Sequence, residues 1–80
     1  MEEEADEIAR IIATVCNVGG LTSLEVDQDF YDAGVSSLHA LGLLVELEDT
    51  FSVVIPDTEF MQARTPRALF QVITASRAGK

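Results

Sequence analysis

The sequence predicts an all-α fold, a four-helix bundle with a short third helix and a long loop between helices one and two. Three observations carry that expectation. Apolar residues recur at helical spacing within 8–15 and again within 40–51. The pair Thr65-Pro66 opens another segment with an apolar face. Between them, residues 18–36 show no helical period, over a length that is unusual unless the loop packs or functions. No repeat, low-complexity segment or internal linker interrupts the 80 residues, so 1–80 is expected to form one domain. A domain this small buries only about 60% of the surface that its unfolded chain exposes.

The first helix is expected over 3–17. Ile8, Ile11, Ile12 and Val15 follow the i, i+3, i+4, i+7 pattern of one buried stripe. Glu2, Glu3, Glu4, Asp6 and Glu7 crowd its first turns, where the helix dipole favours negative charge. Asn17 with Gly19-Gly20 ends it. Cys16, the only cysteine, falls on the apolar side and is expected to be a small buried hydrophobe. In the loop, Leu21, Leu24, Val26, Phe30 and Tyr31 supply apolar groups that pin it to the core, with the two aromatics as plugs.

The second helix is expected over 37–50, with Ser36 as N-cap. Ala40, Leu44, Leu47 and Phe51 form its core stripe, and Leu38, Leu41 and Val45 a second apolar stripe beside it. That second stripe either lines a cavity or meets a partner. Glu46, Glu48 and Asp49 face outward or sideways. Ser52 to Pro56 is extended, because Pro56 biases Ile55 away from helix. Asp57 is expected to cap a short third helix over 58–63, with Phe60 and Met61 facing in. Thr65 caps the fourth helix, 66–77, with Pro66 in the first position that tolerates it. Leu69, Phe70, Val72 and Ile73 are its buried side, and Gly79 and the tail are expected to fray.

Charge narrows the function classes. The net charge is −9 at pH 7, which argues against nucleic acid and against anionic membrane surfaces. It suits basic partner surfaces reached by electrostatic steering. The charge is also segregated. Residues 1–63 hold all 14 acids and one base, Arg10, whereas 64–80 hold Arg64, Arg67, Arg77, Lys80 and no acid. An acidic start replaces the basic region that a signal peptide would show, and no apolar run approaches the ~20 residues of a membrane span. The expected location is the cytoplasm, and the acidic start and basic tail read as genuine termini.

Catalytic and metal chemistry find no support. Asp27-x-Asp29 opens like a calcium loop, but Tyr31, Asp32 and Leu38 then occupy ligand positions 5, 6 and 12. A single cysteine provides neither a disulfide nor a zinc pair. Ser37, His39 and Asp32 are close in sequence, yet His39 lies roughly 200° around the helix from Ser37 and cannot take its proton. His39 is expected at the surface, and the chain is not expected to be an enzyme.

Ser37 itself stands at a helix N-terminus, where free N–H groups and the dipole favour a phosphate. It lies in Asp32-Ala33-Gly34-Val35-Ser36-Ser37-Leu38, followed by Glu46-Leu47-Glu48-Asp49-Thr50-Phe51 and Ile55-Pro56-Asp57. This combination, over about Asp29 to Ile73, resembles the acyl carrier protein family, whose modified serine lies in a D-x-G-x-D-S-L motif. The resemblance implies a 4′-phosphopantetheine arm on Ser37, transferred from coenzyme A by a magnesium-dependent phosphopantetheinyl transferase and carrying acyl groups as thioesters. Asp32, Gly34, Ser36 and Leu38 would flank it, Gly34 by a tight turn and Asp32 by fixing the presenting loop. Leu38, Leu41, Val45, Glu46, Glu48 and Asp49 would meet acyltransferase, ligase or synthase partners, with the carrier a monomer.

Two departures from the family bear on pathway. Ser36 stands where the family usually has Asp, and His39 and Gly42 stand where fatty-acid carriers place acids. The resemblance is therefore to a discrete carrier of a specialised pathway, polyketide in type. Two alternatives stay open: an aminoacyl or peptidyl carrier, and an unmodified helical interaction domain.

Overall fold

The computed structural model describes residues 2–78, and side chains from Glu4 to Arg77; the expectation for Gly79 and the tail lies outside the described residues. Among these residues there are five helices and no strand. They are α1 (Glu2–Gly19), α2 (Phe30–Ala33), α3 (Ser37–Phe51), α4 (Asp57–Gln62) and α5 (Pro66–Ala78). The four expected helices are present within two residues of their expected ends, and α2 is an addition inside the long loop.

The core forms where i, i+4 pairs from the three long helices converge. Ile11 and Val15 of α1, Leu43 and Leu47 of α3, and Leu69 and Ile73 of α5 are fully buried. Phe30 of α2, Phe60 of α4, and Val53 and Ile55 of the α3–α4 connection complete it. α1 packs on both α3 and α5, and α4 on α5. The expected stripes are present, with differences at their edges. Leu43 belongs to the α3 core stripe, while Ala40 is only half-buried. Ile8, Ile12, Phe70, Val72 and Cys16 are half-buried at the edges of their stripes. Met61 is 69% exposed rather than turned in, because a six-residue helix anchored by Phe60 cannot also point the next residue inward.

Helix ends follow local chemistry. At the end of α1, Gly20 adopts φ +72° and the Leu21 N–H donates to the Cys16 carbonyl at 2.9 Å, which closes the last turn. Gly19 is fixed by proximity, since a Cβ there would lie 2.6 Å from Val35 Cγ2. At the end of α3, Ser52 takes the left-handed conformation, φ 55° and ψ 49°. Thr65 Oγ1 accepts from the Ala68 N–H at 3.1 Å and caps α5, as Thr65-Pro66 indicates. Asp57 does not cap α4; it is the first helical residue, and Pro56 in the cap position offers no side-chain acceptor.

The long loop is pinned by its apolar groups, with Leu24 and Phe30 buried and Leu21 and Tyr31 packed against the core, and also by the α4–α5 junction. The Phe30 N–H donates to the Arg64 carbonyl at 2.9 Å, and the Arg67 N–H donates to the Val26 carbonyl at 3.0 Å. Two ion pairs reinforce these bonds, Asp29 with Arg64 at 2.7 Å and Asp27 with Arg67 at 2.8 Å. A third, Glu7 with Arg77 at 3.0 Å, ties α1 to α5. The basic C-terminal segment is thus not a free positive surface, because three of its arginines neutralise acids on earlier elements.

Candidate functional site

The polypeptide reaches the tip of α3 through a short, well-held passage. Asp29 caps α2, with Oδ1 accepting from the N–H groups of Tyr31 at 2.9 Å and Asp32 at 3.1 Å. Its other oxygen accepts from Arg64 Nε, and that hydrogen bond, with the backbone bond from Asp32, holds the Asp29 carboxyl below the usual aspartate range. The Arg64 guanidinium lies 4.8 Å over the Tyr31 ring. Burial pushes the Tyr31 hydroxyl upward, so it stays protonated at neutral pH. Beyond α2, Gly34 adopts φ +132°, a conformation that side-chain-bearing residues rarely take. Val35 then drops into the core, its N–H donating to the Phe30 carbonyl at 3.0 Å.

From this anchored Val35 the chain emerges at Ser36 and Ser37, both exposed. Ser36 is extended and caps α3, its Oγ accepting from the His39 N–H at 3.3 Å and its carbonyl from the Ala40 N–H at 3.1 Å. Ser37 is the first helical residue. Its own N–H and that of Leu38 have no protein acceptor among the described residues. The first turn of α3 holds no acid, so nothing there offsets the positive end of a 15-residue helix. This tip offers a hydroxyl together with unclaimed donors, the arrangement that suits a phosphate ester.

Downstream of Ser37, α3 presents an apolar stripe to solvent: Leu38 is 86% exposed, Leu41 72% and Val45 61%. Glu46 and Asp49 border it and are exposed. A groove of about 350 Å³ starts at Ser37 and runs between α3 and α4. Ala40, Leu41 and Leu44 form one wall, Phe60 and Met61 the other, with Tyr31, Asp57 and Arg64 as its polar fringe.

Ser36, Ser37, Leu38, Leu41 and Val45 therefore lie together on one exposed side of α3, and His39 is exposed as expected. Two expectations are corrected. Asp32 does not fix the presenting loop: it is exposed, and Asp29 makes those bonds because it precedes α2 in the cap position. Glu48 faces sideways and is not free for a partner: it is half-buried, and its Oε2 accepts from the Ile55 N–H at 2.9 Å. Arg64 and Tyr31 are not among the site residues that the sequence indicates. The sequence signal for Arg64 is that no acid stands three or four residues from it, and its partner Asp29 is 35 residues away.

Comparison with known proteins agrees with this geometry. The family described as "Phosphopantetheine attachment site" matches residues 6–73. A 3-methylorcinaldehyde synthase of Sarocladium schorii is 30% identical over 77 residues, which is 94% of this chain and 3% of the synthase. D-alanyl carrier proteins of Streptococcus pyogenes are 50% identical over 36 residues, which is 44% of this chain and 46% of theirs. The chain thus spans less than half the length of these relatives. Among solved structures, an A1-type ACP domain from module 5 of MLSA1 superposes with a TM-score of 0.78 at 24% identity, covering 94% of this chain and 78% of that one.

Proposed function

This chain belongs to the family of carrier domains that bear a covalent 4′-phosphopantetheine arm, and on that premise we propose that Ser37 is its attachment residue. A carrier of this family tethers intermediates and presents them to synthase and transferase enzymes; the family is not itself catalytic. When attached, the arm supplies a thiol that holds the cargo as a thioester. What the chain's own residues do is separate from that chemistry. Ser37 offers an accessible hydroxyl, the N–H groups of Ser37 and Leu38 and the helix dipole favour the phosphodiester, and Val35 and Gly34 hold the tip away from the core. The observation that carries this reading is the exposed serine hydroxyl at the unclaimed end of α3.

Residues 1–80 act in this reading as one carrier domain, monomeric and cytoplasmic, with no catalysis of their own. No described helix is long and apolar enough to cross a membrane. Leu38, Leu41 and Val45 form the centre of a transient docking face with Glu46 and Asp49 at its rim, below the roughly 1,600 Å² of a stable interface. The first partner is a phosphopantetheinyl transferase, followed by acyltransferase, ligase or synthase enzymes. We place the cargo in polyketide-type biosynthesis, because the synthase relative matches along 94% of this chain. The 50% identity with D-alanyl carrier proteins over 36 residues favours aminoacyl cargo as the second reading.

Incubation with coenzyme A, magnesium and a broad-specificity phosphopantetheinyl transferase tests the attachment. Intact-protein mass spectrometry should show one arm on the unaltered protein and on Ser36→Ala, and none on Ser37→Ala. An unchanged mass for the unaltered protein, or an arm on Ser37→Ala, refutes the assignment.

A further inference from the structure

Arg64 is the one cation that fringes the groove beside Ser37 among the described residues. Its position is fixed twice, by the Nε–Asp29 bond at 2.7 Å and by the Tyr31 ring beneath the guanidinium at 4.8 Å. The Asp29 bond uses only Nε, and the terminal guanidinium nitrogens have no acceptor among the described residues. A planar guanidinium held at one edge in this way keeps its remaining donors in a defined direction. The rest of the groove is hydrocarbon from Ala40, Leu41, Leu44, Phe60 and Met61, apart from the Tyr31, Ser37 and Asp57 side chains.

The charge balance narrows what these donors suit. Asp29 already neutralises Arg64, so the pair presents hydrogen bonds without net positive charge. Asp57, on the same groove, adds a negative charge that opposes a carboxylate. A purely alkyl chain would fill the hydrocarbon walls but use none of the donors. Neutral carbonyl oxygens spaced along a short chain satisfy both features.

We propose that Arg64 is a cargo-selecting residue, which favours acyl groups bearing neutral carbonyl oxygens in the groove over alkyl or carboxylate-tipped groups of the same length. This rests on attachment of the arm at Ser37. Arg64 acts on where the cargo rests, not on any bond that is made or broken.

The test uses protein whose Ser37 carries non-hydrolysable amide-linked arms. One arm ends in a hexanoyl group, one in a chain of the same length with two ketone oxygens, one in a carboxylate-tipped chain and one in an alanyl group. Intact mass confirms loading first, so a failure of attachment is seen separately from a failure of selection. NMR then follows the Arg64 Nε–H resonance and the methyl groups of Leu41, Leu44 and Met61. The diketone arm should shift all of these, with occupancy of the groove about fivefold above that of the hexanoyl arm, the effect of one net hydrogen bond. The carboxylate-tipped and alanyl arms should leave Arg64 unshifted. Arg64→Leu should abolish the difference between diketone and hexanoyl arms. Arg64→Lys, which retains a cation for Asp29 but lacks the second row of donors, should also reduce it while keeping the fold. Equal shifts from diketone and hexanoyl arms in the unaltered protein, an Arg64 shift of the same size from the carboxylate or alanyl arm, or undiminished discrimination in Arg64→Lys, would overturn the proposal.

Discussion

The two ends of α3 are finished in opposite ways. At its N-terminal end one side chain, Ser36, satisfies one donor, and the N–H groups of Ser37 and Leu38 are left without a protein acceptor among the described residues. At its C-terminal end the chain satisfies acceptors repeatedly. The Glu48 carbonyl accepts from the Ser52 and Val53 N–H groups, and the Glu48 carboxylate accepts from the Ile55 N–H. Phe51 is covered by two guanidinium groups, Arg10 at 5.2 Å and Arg77 at 5.8 Å from its ring centroid, which bring positive charge to the helix's negative end. One helix thus has an open N-terminal tip, while its other end and the Val35 and Asp29 anchors before it are closed by bonds within the fold.

Substitutions should separate the ends. The largest effect is expected at Glu48, where Lys removes the acceptor of the half-buried Ile55 N–H; the loss is about 2 kcal/mol, read as a lower denaturation midpoint. Glu46→Lys, about 200° around the helix on the exposed rim, should leave stability within about 0.5 kcal/mol and instead slow cargo transfer with partner enzymes at low salt. Equal destabilisation by both would remove the distinction between a structural and a docking carboxylate.

At the open end, Ser36→Ala should cost about 1 kcal/mol through the lost cap, with Ser37 still modified. At the closed end, Ser52→Gly should raise stability by up to about 1 kcal/mol, since the left-handed conformation there is strained for serine and free for glycine. Chemical denaturation of the two variants checks both signs.

The smallest effect concerns acid. Asp29 has a folded-state pKa below the ordinary value of 3.8, so its contribution is complete above that value and is lost as pH falls through the lowered one. Asp29→Asn should therefore flatten the acid limb of the stability–pH curve below about pH 4 and leave the slope near neutrality unchanged. An acid limb identical to that of the unaltered protein would show that the Arg64 contact does not hold in solution.

What the sequence made legible follows from range. The long helices repeat their apolar residues within four positions, so Ile11 with Val15 and Leu69 with Ile73 could be read locally. Ser36 and Thr65 caps, and the exposed Leu38, Leu41 and Val45 stripe, were equally local. The features that were missed depend on distant residues. α2 is four residues long, too short for a period, and is held by Arg64 35 positions away. Asp29 and Asp32 are alike in sequence, and only the placement of α2 tells which one caps it. Glu48 resembles Glu46 in sequence, and only the turn at the left-handed Ser52, which brings Ile55 back along the end of α3, tells them apart. The serine motif joined to E-x-E-x-x-F and I-P-D indicates the family without any of these contacts.

Amide hydrogen exchange, residue by residue, before and after arm attachment examines the open tip most directly. In the unmodified protein the Ser37 and Leu38 amides should exchange at unprotected rates while those of Ser52, Val53 and Ile55 are protected. Attachment should slow exchange at Ser37 and Leu38 and leave the other three unchanged. Protected Ser37 and Leu38 amides in the unmodified protein, or no slowing once the arm is in place, would contradict an α3 tip whose free donors receive the phosphate.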